Sequence, residues 1–195
     1  MRFRFPWLPV VVLLALGAAA EASTPPVGSA APPFALPAAD GSGVVRLAEE
    51  VARHPATVVM FISTRCPYSN GYNDRMERLD KDYASRGVRF LGVNSNVNEP
   101  SSEVVSHARL HGFTFAVLKD DASRVADLYG ASHTPEIFVV DRSGVLRYHG
   151  RIDENAQDAA GVKSPDLRNA LEALLAGRPV PAAETKAFGC SIKRP

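Results

Sequence analysis

Two cysteines, Cys66 and Cys190, are the residues whose type and setting could do chemistry. An apolar, β-branched run, Ala56–Ile62, ends just before Ser63-Thr64-Arg65-Cys66-Pro67. Proline suits the first helical position, so Cys66 falls at the N-cap of the helix that follows. Unpaired backbone N–H groups converge there and favour an anion. With Arg65 beside it as a supporting charge, the thiol is expected to ionise easily and act as a nucleophile at neutral pH. A thiolate of this kind can attack a disulfide, or reduce a peroxide by way of a sulfenic acid. The competing reading is an inert cysteine buried in a strand-to-helix turn.

Cys190 lies on a proline-marked tail, residues 178–195, that shows no regular pattern. Three roles stay open for it. It could be the resolving thiol that closes a reversible disulfide with Cys66, half of a static disulfide, or a thiol that is free or paired with another protein. A copper-binding protein is a fourth possibility, from a different class: Cys66, His133 and Cys190 could supply two thiolates and an imidazole if the tail reaches. A non-catalytic binding module is another. His54, His107, His111, His133 and His149 show no close ligand spacing, so neither a metal site nor a cofactor is assigned.

The N-terminus reads as an address. Arg2 and Arg4 precede an apolar run, Leu8–Ala20, and small residues follow up to Ala22, the plan of a secretory signal peptide over residues 1–22. The run is shorter than the roughly 20 residues a spanning helix needs, so no stable membrane insertion is expected after cleavage. The protein is therefore expected to be periplasmic or secreted. With 46% hydrophobic and 22% charged residues and a formal net charge of +1, the chain has an ordinary globular composition, and no electrostatic case for nucleic acid. Outside the cytosol a free thiol must be buried, re-reduced by a partner or paired.

Elements that would position Cys66 follow along the chain. Residues 23–33 form a flexible or extended lead-in, and Phe34–Leu36 and Val44–Leu47 are short strands around an Asp40-Gly41 turn. Ala56–Ile62 and Val88–Val93 read as buried strands of a parallel sheet. Between them Tyr68, Tyr72, Met76, Leu79 and Tyr83 recur at helical spacing, closed by Gly87. A short helix over 101–111, a strand Phe115–Leu118 and a helix over 121–129 come next. Ile137–Val140 and Val145–Tyr148 then make a hairpin. The last helix has Ser164 as cap and Leu167, Ala170, Leu171, Leu174 and Leu175 as its apolar stripe, and it ends at Gly177. Alternating strands and helices with a late hairpin predict an α/β domain with a central mixed sheet flanked by helices, spanning 34–177. The stretch Arg151–Asn155 reads as a polar loop that is either solvated or lines the substrate groove.

In this order the motifs resemble the thioredoxin superfamily, with Cys66-Pro67 after a strand and Thr134-Pro135 before the hairpin. The insertion over 101–118 and the start Ala31-Pro32-Pro33-Phe34 resemble the redoxin branch, the alkyl hydroperoxide reductase/thiol-specific antioxidant family, which is peroxiredoxin-like. Gly92–Asn96, Gly150–Asp153 and Gly189-Cys190 resemble an exported bacterial subgroup of that branch. The resemblance implies a thioredoxin-like fold and a thiol oxidoreductase. Its substrate would be a peroxide or a disulfide, and its electrons would come from an unidentified thiol reductant protein. It also implies a hydrogen bond from Ser63 to the Cys66 sulfur, a cis peptide at Pro135 that shapes the groove with Pro67 and Thr134, and His133 facing Cys66. The chain departs from thioredoxin in having serines, Ser63 and Ser69, where a second active-site cysteine would stand. It departs from typical peroxiredoxins in having Pro135 where an arginine assists peroxide.

Overall fold

The computed structural model describes residues 23–195; the expected signal peptide, residues 1–22, lies outside the described residues. In chain order the elements are β1 (Ala35–Pro37), β2 (Val44–Arg46), α1 (Leu47–Arg53), β3 (Ala56–Phe61), α2 (Pro67–Gly71), α3 (Asn73–Ala84), β4 (Arg89–Asn94) and α4 (Ser101–Leu110). There follow β5 (Ala116–Lys119), α5 (Arg124–Leu128), β6 (His133–Thr134), β7 (Glu136–Asp141), β8 (Leu146–Gly150), α6 (Asp166–Leu175) and β9 (Cys190–Ser191).

Five strands form the central sheet in the order β5-β4-β3-β7-β8. The β3–β4 and β4–β5 pairs are parallel, whereas β7 runs antiparallel to β3 and β8 antiparallel to β7, so the sheet is mixed. All six residues of β3 are buried. Its side chains alternate between two cores: Val58 and Met60 pack with Met76, Tyr83 and Leu171 on one face, and Val59 and Phe61 with Leu36, Val51 and Tyr129 on the other. A strand covered on both faces takes apolar residues at nearly every position, Thr57 being the exception here, which is why Ala56–Ile62 shows no alternation. The thioredoxin-like α/β class read from the sequence holds.

Several local expectations are corrected. Leu47 does not end a strand but opens α1, whose Leu47 and Val51 are buried four residues apart on one face. The helix read through Tyr68 and Tyr83 is two helices. Tyr72 (φ −101°, ψ −3°) separates them, and its amide bonds back to the Ser69 carbonyl at 3.0 Å. Its ring is buried and its hydroxyl donates to the Asp153 carbonyl at 2.8 Å, so packing of segment 153–156 fixes the break. At Gly71 a Cβ would stand 2.5 Å from the Ala156 carbonyl oxygen. Segment 151–155 is correspondingly not a solvated loop: Ile152 and Asp153 are buried.

Ser164 does not cap the last helix, which starts after Pro165; the Ser164 hydroxyl donates to Asp166 instead. The lead-in is tied down, with the Gly28 and Ala31 amides donating to the Leu146 and Gly144 carbonyls, each at 2.8 Å. The tail is not patternless in space. His149 and the 183–185 segment exchange backbone hydrogen bonds, and β9 pairs with β6. Among the described residues no helix is long and apolar enough to cross a membrane.

Candidate active site

Cys66 sits at the carboxyl end of β3, in extended conformation at the N-cap of α2, with Pro67 in the first turn. The Ser69 amide donates to Cys66 Sγ at 3.4 Å, so the sulfur serves as the capping acceptor. The five residues of α2 add little dipole, and this one aimed amide is the direct contribution. In its thiol form Cys66 donates to the Thr134 carbonyl at 3.1 Å. Thr134 precedes Pro135, and the peptide bond between them is cis.

The tail closes the site. In the β6–β9 ladder Cys190 lies opposite Thr134 and Ser191 opposite His133. The Ile192 amide also holds the tail, donating to the Ser132 carbonyl at 3.0 Å, and Thr134 Oγ1 lies 3.5 Å from the Cys190 carbonyl. Ile192 is buried in the core beside Val125 and Ala131. Gly189, at φ +148°, lies against the Thr134 carbonyl and leaves no room for a side chain there. Phe188 meets the Tyr68 ring edge-on at 6.0 Å between centroids. Cys66 is thereby only 2% exposed. Both cysteines are free thiols.

The two sulfurs hold their protons unequally. Burial pushes the Cys66 thiol up, but hydrogen bonds outweigh it and keep the group below the ordinary cysteine value. They come from the Cys190 thiol, the Thr134 side chain, and the Ser69 and Cys190 amides. Cys190 is pushed up to about 11, first by burial and then because it donates to Cys66 and faces its charge. Of the two, Cys66 is therefore the thiol that gives up its proton more readily.

Three residues assigned supporting roles sit otherwise than expected. The Ser63 hydroxyl does not touch the sulfur; it accepts from the amides of Cys66 at 3.0 Å and Arg65 at 3.1 Å, and so holds the turn. Arg65 turns away, its guanidinium forming a fork to Glu103 at 2.8 and 2.5 Å. Glu103 is held at about 2, chiefly by that contact. The charge assigned to steadying the thiolate is thus neutralised elsewhere. His133 does not face Cys66: its Nδ1 lies 2.8 Å from the Ser132 hydroxyl and its ring is 41% exposed. A Cys66, His133, Cys190 set for copper is therefore not assembled. Among the described residues no group of three metal-ligating side chains is gathered.

Other site residues went unread in the sequence. Glu136, 3% exposed, accepts from the Ser132 and His133 amides at 2.8 and 2.9 Å and lies 2.7 Å from His149 Nε2. It thus shapes the loop that presents the Thr134 carbonyl. A carboxylate opening an otherwise apolar strand, directly after Thr134-Pro135, was the signal available. Glu99 is 2% exposed and anchors the Cys66 turn from the other side; in Asn98-Glu99-Pro100 nothing distinguishes it from a solvated turn residue.

The AhpC/TSA family matches residues 27–149 of the chain. Thiol-disulfide oxidoreductase ResA of Geobacillus thermodenitrificans is 31% identical over 62% of this chain and 67% of that protein. Among solved structures, a hypothetical protein from Sinorhizobium meliloti superposes with a TM-score of 0.81 at 34% identity, covering 89% of this chain and 97% of that one. An uncharacterized conserved protein from Geobacillus kaustophilus superposes with a TM-score of 0.79 at 37% identity, covering 86% and 92%.

Proposed function

The chain belongs to the AhpC/TSA family, and from that premise we propose that it is an exported thiol–disulfide oxidoreductase with Cys66 as nucleophile and Cys190 as resolving thiol. The observation that carries this reading is that the β6–β9 ladder sets Cys190, a free thiol, opposite Thr134, whose carbonyl accepts from the free thiol of Cys66 at 3.1 Å.

The Cys66 thiolate attacks one sulfur of a substrate disulfide, forming a mixed disulfide and expelling the other sulfur as a thiolate. That leaving group takes the proton of Cys190. The Cys190 thiolate then attacks Cys66 Sγ, closes the Cys66–Cys190 disulfide and releases the second substrate thiolate. The substrate gains two electrons and the cysteine pair loses them; a dithiol protein returns them by the reverse steps. Thr134, Pro135 and Pro67 frame the sulfur, and because Cys66 is buried, the tail has to move aside to admit the substrate. Peroxide reduction would run through a sulfenic acid on Cys66 that Cys190 condenses with, losing water. Disulfide exchange is favoured over it because Arg65, the cation nearest in sequence, is bound to Glu103 and not aimed at an oxygen beside the sulfur.

The test is to treat the reduced protein with one equivalent of oxidised glutathione or of hydrogen peroxide and count thiols. Glutathione disulfide is expected to remove both protein thiols together, with no lasting glutathione adduct, and dithiothreitol to restore them. The peroxide reaction is expected to run no faster than that of an ordinary cysteine thiolate. Unchanged thiols with the disulfide, or a stable adduct on one cysteine, would overturn the proposal; a peroxide reaction faster by several orders of magnitude would transfer the assignment to peroxidase.

A further inference from the structure

Beneath the Cys66 turn lies a buried polar network that the proposed steps do not use. Glu99 receives three donors: the Ser63 hydroxyl at 2.5 Å on one oxygen, and the Thr64 amide at 2.8 Å and Asn94 Nδ2 at 2.6 Å on the other. Asn94 Oδ1 accepts in turn from Lys119 Nζ at 3.3 Å, and that lysine is 3% exposed and also donates to the Asn96 carbonyl at 2.9 Å. The network thus bridges a buried carboxylate to a buried ammonium through one amide side chain.

Its consequence for the sulfur runs through Ser63. A hydroxyl has one hydrogen, and here it is committed to Glu99. The Ser63 oxygen is left to accept, and it takes the Cys66 and Arg65 amides. The Ser63 amide donates to the Ser69 hydroxyl at 3.1 Å, and the Ser69 amide donates to Cys66 Sγ. Ser63, Cys66 and Ser69 therefore form a closed ring of hydrogen bonds whose sense is set by Glu99. Were the Ser63 hydrogen free to turn toward the Cys66 amide, two donors would face each other and the ring would open.

We propose that Glu99 is a positioning residue for the Cys66 nucleophile, acting through Ser63 to hold the turn in which the Ser69 amide meets the sulfur. The proposal deepens the oxidoreductase reading by naming what fixes its nucleophile. All three donors on Glu99 need an acceptor, so a glutamine must put its NH₂ against at least one of them.

The experiment follows the ¹³Cβ resonance of Cys66 against pH in the intact reduced protein and in Glu99→Gln, with Glu103→Gln as the control that disturbs the Arg65 pair and the Thr64 hydroxyl's bond to Glu103 but leaves Glu99 its three donors. Glu99→Gln is expected to move the Cys66 midpoint upward by about half a pH unit or more, roughly a threefold loss of thiolate below the midpoint. Glu103→Gln is expected to leave it in place. An unmoved midpoint in folded Glu99→Gln, even with a lower melting temperature, would reduce Glu99 to a structural residue and overturn the proposal. A control shifted as far as Glu99→Gln would overturn it too. Should Glu99→Gln not fold, Ser63→Ala decides: it keeps the carboxylate but deletes the relay, and has to show the same upward shift. The titration reads a proton and not turnover, so an inactive protein with the Glu99→Gln shift would sink the enzyme reading and spare this one, and the converse outcome would do the reverse.

Discussion

Cys66→Ser is expected to bring disulfide exchange down to the uncatalysed background, a loss of about 10³-fold or more, because a serine hydroxyl is not ionised at neutral pH. Cys190→Ser is expected to separate the two half-reactions. Attack on the substrate persists, but no second thiol is present to resolve it, so a mixed disulfide between Cys66 and the substrate accumulates. Mass spectrometry of both variants after one equivalent of oxidised glutathione checks the pair: an unmodified Cys66→Ser protein and a Cys190→Ser protein carrying one glutathione. The pH dependence follows from the two proton affinities. Cys66 is held below the ordinary cysteine value, so the rate of attack rises with pH only until that group ionises. It then stays flat until Cys190, at about 11, loses the proton that the leaving group takes.

The largest stability effect is expected at Asp153→Ala. Its carboxylate is buried, accepts from Arg75 Nη1 at 2.7 and 2.6 Å and from the Asn155 amide at 2.9 Å, and lies 3.0 Å from the Tyr72 hydroxyl oxygen. The Arg75 guanidinium also stacks over the Tyr72 ring at 4.3 Å and donates to the Ala156 carbonyl at 2.9 Å. Deleting the carboxylate strands a guanidinium whose side chain is only 13% exposed, which costs about 3–5 kcal/mol. At roughly 2–4 °C per kcal/mol for a chain of this size, thermal melting should fall by about 6 °C at the least. In the double variant with Arg75→Met the loss should be smaller than in Asp153→Ala alone, since no charge is then left unpaired. A melting temperature unchanged in Asp153→Ala would show that water reaches Arg75 and that the break at Tyr72 is held by other contacts.

What the sequence disclosed follows from the range of the interactions. Cys66 at an N-cap was legible because Pro67 marks the helix start locally, and β3 was legible because a strand covered on both faces is apolar or β-branched throughout. The break at Tyr72 was not, since a buried tyrosine fits helical spacing as well as it fits the end of a turn; Asp153 and Ala156, far along the chain, decide it. The tail kept its register hidden for the same reason. Two residues of β9 against two of β6 are too few to leave a period, and only Gly189, required where the chain passes the Thr134 carbonyl, stood out as a motif. Ser63 and Arg65 were correctly placed beside the cysteine, but their partners, Glu99 and Glu103, belong to the turn after β4 and to α4. Adjacency in sequence named the residues; the residues that claim their charges and hydrogens lay elsewhere.

That Cys66 gives up its proton more readily than Cys190 is the claim on which the chemistry rests. It is tested most directly by labelling both cysteines at ¹³Cβ and titrating the reduced, intact protein by NMR. The expected record has Cys66 ionising first, below the ordinary thiol value, and Cys190 only near 11. A record in which Cys190 ionises first, or in which the two titrate together as independent thiols, would contradict the account.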